Sequence, residues 1–306
     1  MISIKNGFEI ACVKQGKKVI NNVYVKDYDE KNEEKLDKKD IESILPKSYW
    51  TKLRNITPAN VIILKRALRT ENTTLLKDNM TMHEAYKEAL IIINDVQNKL
   101  LECKKDEHIQ VLPFDTHFSI GVFGPSGVGK SYWIGQFLLE FRKKFKDRPI
   151  YIFSPIRDDP AFQKSKPIYI RIDETLLQDP LKCFEFQKGL CVFDDIESLS
   201  KEYYSLISHF RDACLEVGRH DGIDIISVHH VIQGGNSTKK IINESDLMVC
   251  FPRSNFSAIE RICKNYYGFG KDDIAYLKMI GKKSRWCCVK RSYPSVIMSE
   301  HEIKIV

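Results

Sequence analysis

The chain has 306 residues, of which 43% are hydrophobic, and it carries a formal net charge of +7. This length suits one large domain or a core domain with a smaller companion, because single cores stop growing near about 250–300 residues. The positive charge favours polyanionic partners but is too small to identify a nucleic-acid binder by itself. No apolar run approaches the ~18 residues of a membrane span, and the N-terminus lacks the apolar stretch of a signal peptide. We therefore expect no membrane span.

The first third of the chain is predicted to form a small accessory region. Residues 1–28 alternate weakly and contain a turn-like QGKK, which predicts a β-hairpin. Residues 26–40 carry five lysines among seven acids, which is typical of a solvated segment because the charges cancel. Residues 83–104 have the apolar spacing of a helix. We assign residues 1–112 to an accessory α+β region and residues 113–306 to the main domain.

From residue 116 onward, short apolar runs alternate with helical patterns. Near-continuous apolar runs are typical of strands buried on both faces, so they predict a mostly parallel sheet sandwiched by helices, which is an α/β fold. The final 23 residues, SRWCCVKRSYPSVIMSEHEIKIV, are expected to add one or two edge strands. The runs are FSIGVF (118–123), IYIFS (150–154), LCVFDD (190–195), IDIISV (223–228) and LMVCF (247–251).

Nine cysteines are scattered along the chain without any C-x-x-C pair. Several lie inside apolar runs, as in LCVFDD and LMVCFP. Such cysteines are typical of free, buried thiols in a reducing compartment and not of disulfides or zinc ligands. They favour a cytosolic protein or one that works in a particle assembled in cytosol.

The segment after the first apolar run fits the phosphate-binding pattern G-x-x-x-x-G-K-[ST]. Its glycines let the backbone curl around phosphates, Lys130 is placed to reach the β- and γ-phosphates, and the Ser131 hydroxyl is placed to bind Mg²⁺. An apolar strand precedes the loop and an amphipathic helix follows it, as a nucleotide-binding P-loop requires. We expect Tyr132 and Trp133 to form the packing face of that helix. The predicted ATP-binding residues are Gly124, Pro125, Ser126, Gly127, Val128, Gly129, Lys130 and Ser131.

A second motif, which is acidic, follows the phosphate-binding loop about 65 residues later. The apolar run LCVF ends in Asp194 and Asp195, the form of a Walker B strand. Asp194 is predicted to assist Mg²⁺, directly or through water. Asp195 is placed to orient the attacking water, and Glu197 competes for that role. Adjacent acids favour hydrolysis by water over transfer to a bound acceptor.

The loop sequence GPSGVGKS also occurs in guanylate kinase-like proteins, so the loop alone does not identify the chemistry. A kinase of that kind needs an arginine-rich lid, and no T-x-R-x-P-R-x-G-E-like segment follows the first helix. The sequence likewise has no LSGGQ-like signature of a transporter ATPase and no N-K-x-D motif of a GTPase. Two alternatives stay open: a nucleoside or nucleotide kinase, and a nucleotide-gated assembly protein without turnover.

Residues 219–233 read RHDGIDIISVHHVIQ and supply a third motif. With GPSGVGKS, VFDD and GRH in this order, residues 116–270 resemble the FtsK–HerA superfamily of DNA-pumping ATPases. The resemblance is strongest to the genome-packaging ATPases of poxviruses and other large DNA viruses. It implies a RecA-like P-loop fold and ATP hydrolysis coupled to double-stranded DNA translocation.

The resemblance also implies roles for individual residues. The sensor position at the end of the third strand falls on His230, with His229 beside it as the alternative. Arg219 falls where the superfamily has an arginine near the subunit interface, and Arg211 and Arg253 are the other candidates. This sequence departs from the superfamily in having Asp-Asp where Asp-Glu is usual and His where the sensor is usually Gln.

The partners implied by the resemblance are double-stranded DNA, further copies of the chain in a ring, either a pentamer or a hexamer, and a capsid or portal-like component. The expected location is the virus assembly site in the host cytoplasm, and also the virion. Residues 282–293 interleave basic and aromatic residues, which predicts either a phosphate-tracking segment or an edge strand with a solvated face. The loop 232–240 is predicted to face the channel of a ring.

Overall fold

A computed structural model of the chain describes residues 1–5, 7–26, 50, 56–70, 72–77, 79–230 and 235–306. The charge-rich segment falls outside these residues from position 27 onward, as do residues 232–234 of the predicted channel loop. Within the described part of the chain, no helix is long and apolar enough to cross a membrane.

The strands are β1 (Ile2–Ser3), β2 (Phe8–Gln15), β3 (Lys18–Val25), β4 (Leu100–Glu102), β5 (Glu107–Val111), β6 (Ser119–Phe123), β7 (Ile150–Phe153), β8 (Ile168–Tyr169), β9 (Leu190–Phe193), β10 (Asp224–His229), β11 (Leu247–Cys250), β12 (Cys287–Lys290), β13 (Val296–Ser299) and β14 (Glu302–Ile305). The α-helices are α1 (Pro58–Thr70), α2 (Met80–Lys99), α3 (Lys130–Lys144), α4 (Glu174–Gln178), α5 (Lys201–Val217), α6 (Gly235–Glu244), α7 (Phe256–Tyr266) and α8 (Lys271–Lys283).

A ten-stranded mixed sheet forms the main body, in the order β4-β14-β13-β12-β11-β6-β10-β9-β7-β8. The run from β11 to β8 is parallel, and β12, β13, β14 and β4 pair antiparallel. All five apolar runs predicted as strands are strands of this sheet, so the α/β fold is confirmed. The prediction of one or two tail strands was too low, because the tail supplies three.

Helices cover both faces of the large sheet. Ile120 and Val122 of β6, with Phe118 just before it, share one core with α3, whereas Phe123 belongs to the core on the opposite face. Every residue of β6, β9 and β11 is buried. Burial on both faces explains why these strands are continuously apolar and do not alternate with polar residues. All cysteines except Cys103 and Cys183 are buried, as their apolar surroundings predict.

The N-terminal part forms a four-stranded antiparallel sheet, β1-β3-β2-β5. The predicted hairpin is present as β2 and β3, and its apolar side joins the same core as α3. Helices α1 and α2 bury a separate apolar cluster, and β4 pairs with β14 at the edge of the large sheet. The boundary at residue 112 remains a prediction.

Strand direction decides which segments meet at each edge of the large sheet. Strands β6, β9 and β10 are parallel neighbours, so their carboxyl ends lie at one edge. Strand β12 is antiparallel to β11, with Cys287 opposite Cys250, so its amino end lies at that same edge. The turn between β13 and β14 is also there, because Ser299 pairs with Cys287.

The basic segment 282–293 is not an edge strand. Its central residues form β12, a buried strand between β11 and β13, and Lys290 itself is buried. The remaining basic residues lie before and after this strand, at opposite edges of the sheet about 13 Å apart at ~3.3 Å per residue. They therefore do not form one continuous track for phosphates.

A partly buried ion pair attaches the small sheet to helix α3. Lys14 of β2 donates to Glu140 at 2.6 Å, and Lys143 donates to the same carboxylate oxygen at 2.8 Å. Burial alone would raise the pKa of Glu140, but the two lysine hydrogen bonds outweigh it and hold the pKa below its ordinary value of 4.5. Because the folded-state pKa lies below the ordinary value, the ionised carboxylate stabilises the fold above pH 4.5. This stabilisation is lost as the pH falls through the folded-state pKa.

We expect Lys14→Met to lower the free energy of unfolding by about 2 kcal/mol at pH 7, because it removes a charge-assisted bond from a half-buried carboxylate. The matched control is Lys143→Met, whose side chain is 66% exposed against 9% for Lys14. The control should cost less than about 1 kcal/mol. Urea unfolding of both variants at pH 7 and at pH 3.5 measures this. Equal losses in the two variants, or a Lys14→Met loss that does not shrink in acid, would contradict the assignment.

Candidate nucleotide-binding site

The loop between β6 and α3 has the backbone conformation that curls around an anion. Gly127 and Gly129 have φ values of +80° and +108°, a region that side chains with a Cβ rarely adopt. Helix α3 begins at Lys130, so its positive end faces the space above the loop. The N–H of Gly124 donates to the carbonyl of His229 at 3.0 Å, which joins the start of the loop to the end of β10.

Lys130 is buried and points back into its own loop. Its ammonium group donates to the carbonyls of Gly124 at 2.8 Å and Pro125 at 3.1 Å. It also lies 3.3 Å from Nδ1 of His230. Burial lowers the pKa of Lys130, and the charges of Asp195 and Asp194 oppose that shift.

His230 connects this lysine to the acidic motif. Its Nε2 lies 2.5 Å from Oδ1 of Asp195, on the neighbouring strand end. Asp195 has a positive φ of 52°, which Asp adopts more readily than most residues, and this turns the chain at the end of β9. The contact joins the P-loop, the Walker B strand and β10 through the side chains of Lys130, His230 and Asp195.

His229 makes a different set of contacts. It is buried, its ring stacks with Phe123 at a centroid distance of 5.7 Å, and its Nδ1 donates to Glu197 at 2.7 Å. The Ser227 hydroxyl lies 2.9 Å from Nε2. Burial lowers the pKa of His229, and the hydrogen bond from His229 lowers the pKa of Glu197. Of the two sensor candidates, His230 is the one that contacts the P-loop lysine.

Asp194 is buried at the end of β9. Burial, and then the charges of Asp195 and Asp159, raise the pKa of Asp194 to about 7. A buried carboxylate next to a second carboxylate gains most from a nearby cation. The carboxylate therefore has the environment that a divalent cation would stabilise.

The residues present fit ATP and Mg²⁺. The described residues contain no group of three or more His, Cys, Asp and Glu side chains placed to form a metal site. Mg²⁺ needs no such cage, because it is usually bound by one or two carboxylates, substrate phosphates and water. Asp194 and the Ser131 hydroxyl at the start of α3 would hold it, and the loop amides would hold the phosphates.

The three candidate arginines lie in different places. Arg219 is exposed in a short turn before β10, at the sheet edge opposite the P-loop. Strand β10 has six residues, so the two edges are about 20 Å apart at ~3.3 Å per residue. Arg211 is buried in α5 and pairs with Asp212 at 2.7 Å, whereas Arg253 is exposed and donates to the carbonyls of Gly281 and Lys282. Arg219 cannot reach the P-loop of its own chain.

Two sequence predictions near the site need correction. Trp133 is buried as predicted, but Tyr132 is 68% exposed and does not belong to the packing face of α3. Residues 235–240 of the predicted channel loop are the start of helix α6. The helix after the P-loop packs through Trp133, Phe137 and Phe141, and that spacing turns Tyr132 outward.

The chain has the fold of the P-loop NTPases: a glycine-rich loop lies between a buried parallel strand and a helix, and Asp194 and Asp195 follow a strand end in the same sheet. No family model matches the chain. The uncharacterized protein V3 of Sputnik virophage is 32% identical over 188 residues, covering 60% of this chain and 76% of that protein. The chain belongs to the same family as this virophage protein.

The solved structures similar to this chain include viral genome-packaging NTPases. The genome packaging NTPase B204 of Sulfolobus turreted icosahedral virus 2, in complex with ATP-gammaS, is 14% identical, covers 61% of this chain and 98% of its own, and has a TM-score of 0.42. The pCW3 conjugation coupling protein TcpA is 14% identical over 66% of this chain and 65% of its own, with a TM-score of 0.38. At these identities and TM-scores the matches are similarities and establish no activity.

We expect the two adjacent histidines to hold opposite tautomers in the nucleotide-free protein. Glu197 can only accept, so His229 carries its proton on Nδ1; Lys130 can only donate, so His230 carries its proton on Nε2. ¹⁵N NMR at pH 7 distinguishes the two forms, with His229→Gln and His230→Gln used to assign the signals. Two rings with the same tautomer would contradict the described contacts.

Proposed function

We propose that the chain is an ATP-hydrolysing motor that translocates double-stranded DNA during viral genome packaging. The observation that carries the proposal is the contact from Lys130 through His230 to Asp195. A loop that only bound nucleotide would have no need of a contact between Lys130 and the hydrolytic carboxylate of Asp195 through a residue at the end of β10. A motor does require this coupling, because hydrolysis must change the chain beyond the nucleotide.

Each residue of the site has a separate proposed role. Lys130 and the backbone N–H groups of residues 126–131 would bind the phosphates, and Ser131 and Asp194 would hold Mg²⁺, which would neutralise charge on the phosphates. Asp195 orients the attacking water and accepts its proton. We place Asp195 ahead of Glu197 because its partner His230 touches Lys130, whereas the partner of Glu197 is the buried His229.

His230 is the proposed reporter of the nucleotide state. In this structure its Nδ1 faces the Lys130 ammonium group. When Lys130 turns from the loop carbonyls to the phosphates, that ring nitrogen, which carries no proton in this arrangement, loses its hydrogen-bond donor, and the ring has to find another donor, such as water. His230 is the residue immediately after β10, so a change at its ring is passed directly to the segment that follows.

Two further observations support a viral, ring-shaped motor. The virophage relative is 32% identical across most of its own length, which favours a role in a virus. Arg219 is exposed about 20 Å from the P-loop of its own chain, at the far end of β10. In a head-to-tail ring, a residue so placed can complete the site of the neighbouring subunit, as arginines supplied in trans do in other NTPases.

The rival kinase and assembly functions predict different products. A nucleoside or nucleotide kinase transfers labelled γ-phosphate to GMP or a nucleoside and releases little as free phosphate. A nucleotide-gated assembly protein binds ATP tightly and releases none. The carboxylate pair at the end of β9 favours hydrolysis, because one carboxylate can assist the metal while the other orients and deprotonates water.

We expect Lys130→Ala and Asp195→Asn each to lower the rate of phosphate release by at least about 100-fold, since one removes phosphate binding and the other the water-orienting carboxylate. Glu197→Gln should cost less, because Glu197 is held by His229. Phosphate release in the presence of duplex DNA measures all three variants. A larger loss in Glu197→Gln than in Asp195→Asn would reverse the assignment of the base.

Mixing variants tests whether Arg219 acts on a neighbouring subunit. Arg219→Ala alone is expected to lower the rate about 10³-fold or more. Lys130→Ala subunits lack a working P-loop but still supply Arg219, so mixing them with Arg219→Ala subunits should restore activity at about a quarter of the interfaces of a ring.

The matched control for this mixture is Arg253→Ala, another exposed arginine, which should keep its activity alone. An inactive mixture of Lys130→Ala and Arg219→Ala, in the same oligomeric state as the wild type, would rule out action in trans. A wild-type chain that stays monomeric with ATP analogue and DNA would count against the ring itself.

A further inference from the structure

A cleft of about 420 Å³ opens beside the P-loop helix. It lies between the start of α3, strand β5 of the small sheet, and the segments before β12 and after β13. A volume of this size falls within the usual range for small-molecule sites, roughly 300–1,000 Å³. None of the roles assigned above uses its residues.

Strand direction places this cleft at the nucleotide edge of the sheet. Arg285 and Trp286 precede β12, whose amino end pairs with the carboxyl end of β11. Glu300 and His301 form the turn after β13, at the same edge. On the other side, the cleft begins at Tyr132, the residue that directly follows Ser131. The cleft therefore adjoins the end of the P-loop, next to the position proposed for the phosphates.

The walls of the cleft are held in place by contacts within the fold. Trp286 packs edge-to-face on Trp133 of α3 at a centroid distance of 6.2 Å. The Glu300 side chain accepts from the N–H of Arg285 at 2.9 Å, and its carbonyl accepts from the N–H of Ile109 on β5 at 2.8 Å. These contacts join the small sheet, the tail strands and the P-loop helix around one opening.

The lining has the chemistry that recognises a nucleobase. Tyr132 and Gln136 lie four residues apart on one face of α3, so an aromatic ring and an amide are presented side by side. Gln110 adds a second amide from β5, and Arg285 and Glu300 add one positive and one negative group. Aromatic rings stack on bases, and amides supply the donor and acceptor pair that matches a base edge.

We propose that this cleft receives the base and ribose of the nucleotide whose phosphates lie on Lys130, with Tyr132 stacking on the base and Gln136 and Gln110 hydrogen-bonding to it. The inference rests on the proposed nucleotide site. It gives the small N-terminal sheet a part in nucleotide recognition through β5.

The test compares binding of ATP with binding of inorganic tripolyphosphate, which has the phosphates but no base. Tyr132→Ala should weaken ATP binding about tenfold, the order of magnitude of one base–aromatic stack, and leave tripolyphosphate binding unchanged. Gln110→Leu should weaken ATP alone, by about two- to tenfold. Tyr132→Phe should bind ATP like the wild type, as should Tyr293→Ala, an exposed tyrosine at the opposite sheet edge. Calorimetry with Mg²⁺ measures each dissociation constant.

The outcomes separate the two proposals. If Tyr132→Ala binds ATP as tightly as the wild type, or loses ATP and tripolyphosphate equally, the cleft is not the base site, and the phosphate site stands. If the wild type binds neither ligand, the proposed function fails and this inference fails with it. Because Tyr132 is 68% exposed, its replacement is not expected to affect folding, and circular dichroism of the variant checks this.

Discussion

The proposed chemistry depends on one consequence of parallel strand pairing: the carboxyl ends of β6, β9 and β10 meet at the same edge of the sheet. Each strand end contributes a different group, and the contact from Lys130 through His230 to Asp195 joins all three. Lys130 is buried, so its charge has to be compensated by carbonyls and nearby carboxylates until phosphates replace them. Asp194 has the opposite requirement, because it is a buried carboxylate beside another acid. Bound ATP and Mg²⁺ would satisfy both groups.

The same edge is extended by strands that run the other way. Because β12 and β13 are antiparallel to the parallel set, the segments beside them return to the nucleotide edge and border the cleft next to Tyr132. The small sheet reaches this cleft through β5 and is attached to α3 by the Lys14–Glu140 pair. The N-terminal sheet therefore packs on the helix that the proposed function uses to bind phosphate, and a change in that packing would act directly on the site.

Much of the large sheet could be predicted from sequence because continuous apolar runs report burial on both faces. The P-loop could be predicted because Lys130 and Ser131 follow the glycines in a fixed order. The short strand Ile168–Tyr169 was missed because two half-exposed residues leave no pattern. The exposure of Tyr132 was missed because it follows from the packing of Trp133, Phe137 and Phe141, which is decided by the surrounding strands.

Long-range contacts also could not be predicted from the sequence. Sequence spacing could align either His229 or His230 with the sensor position. The two histidines are told apart only by the residues that their rings contact in the fold. His229 stacks on Phe123 and binds Glu197, while His230 reaches Lys130 across the sheet edge. The base-binding cleft is assembled from separate segments spread between residues 108 and 301, so no local sequence motif predicts it.

The central claim, movement along double-stranded DNA driven by ATP hydrolysis, is tested most directly by displacement of a third strand from a DNA triplex. We expect the wild-type chain to release the labelled third strand when ATP and Mg²⁺ are present, and not with a non-hydrolysable analogue or in the Lys130→Ala variant. If the wild-type chain hydrolyses ATP on this triplex but does not displace the third strand, the account is contradicted.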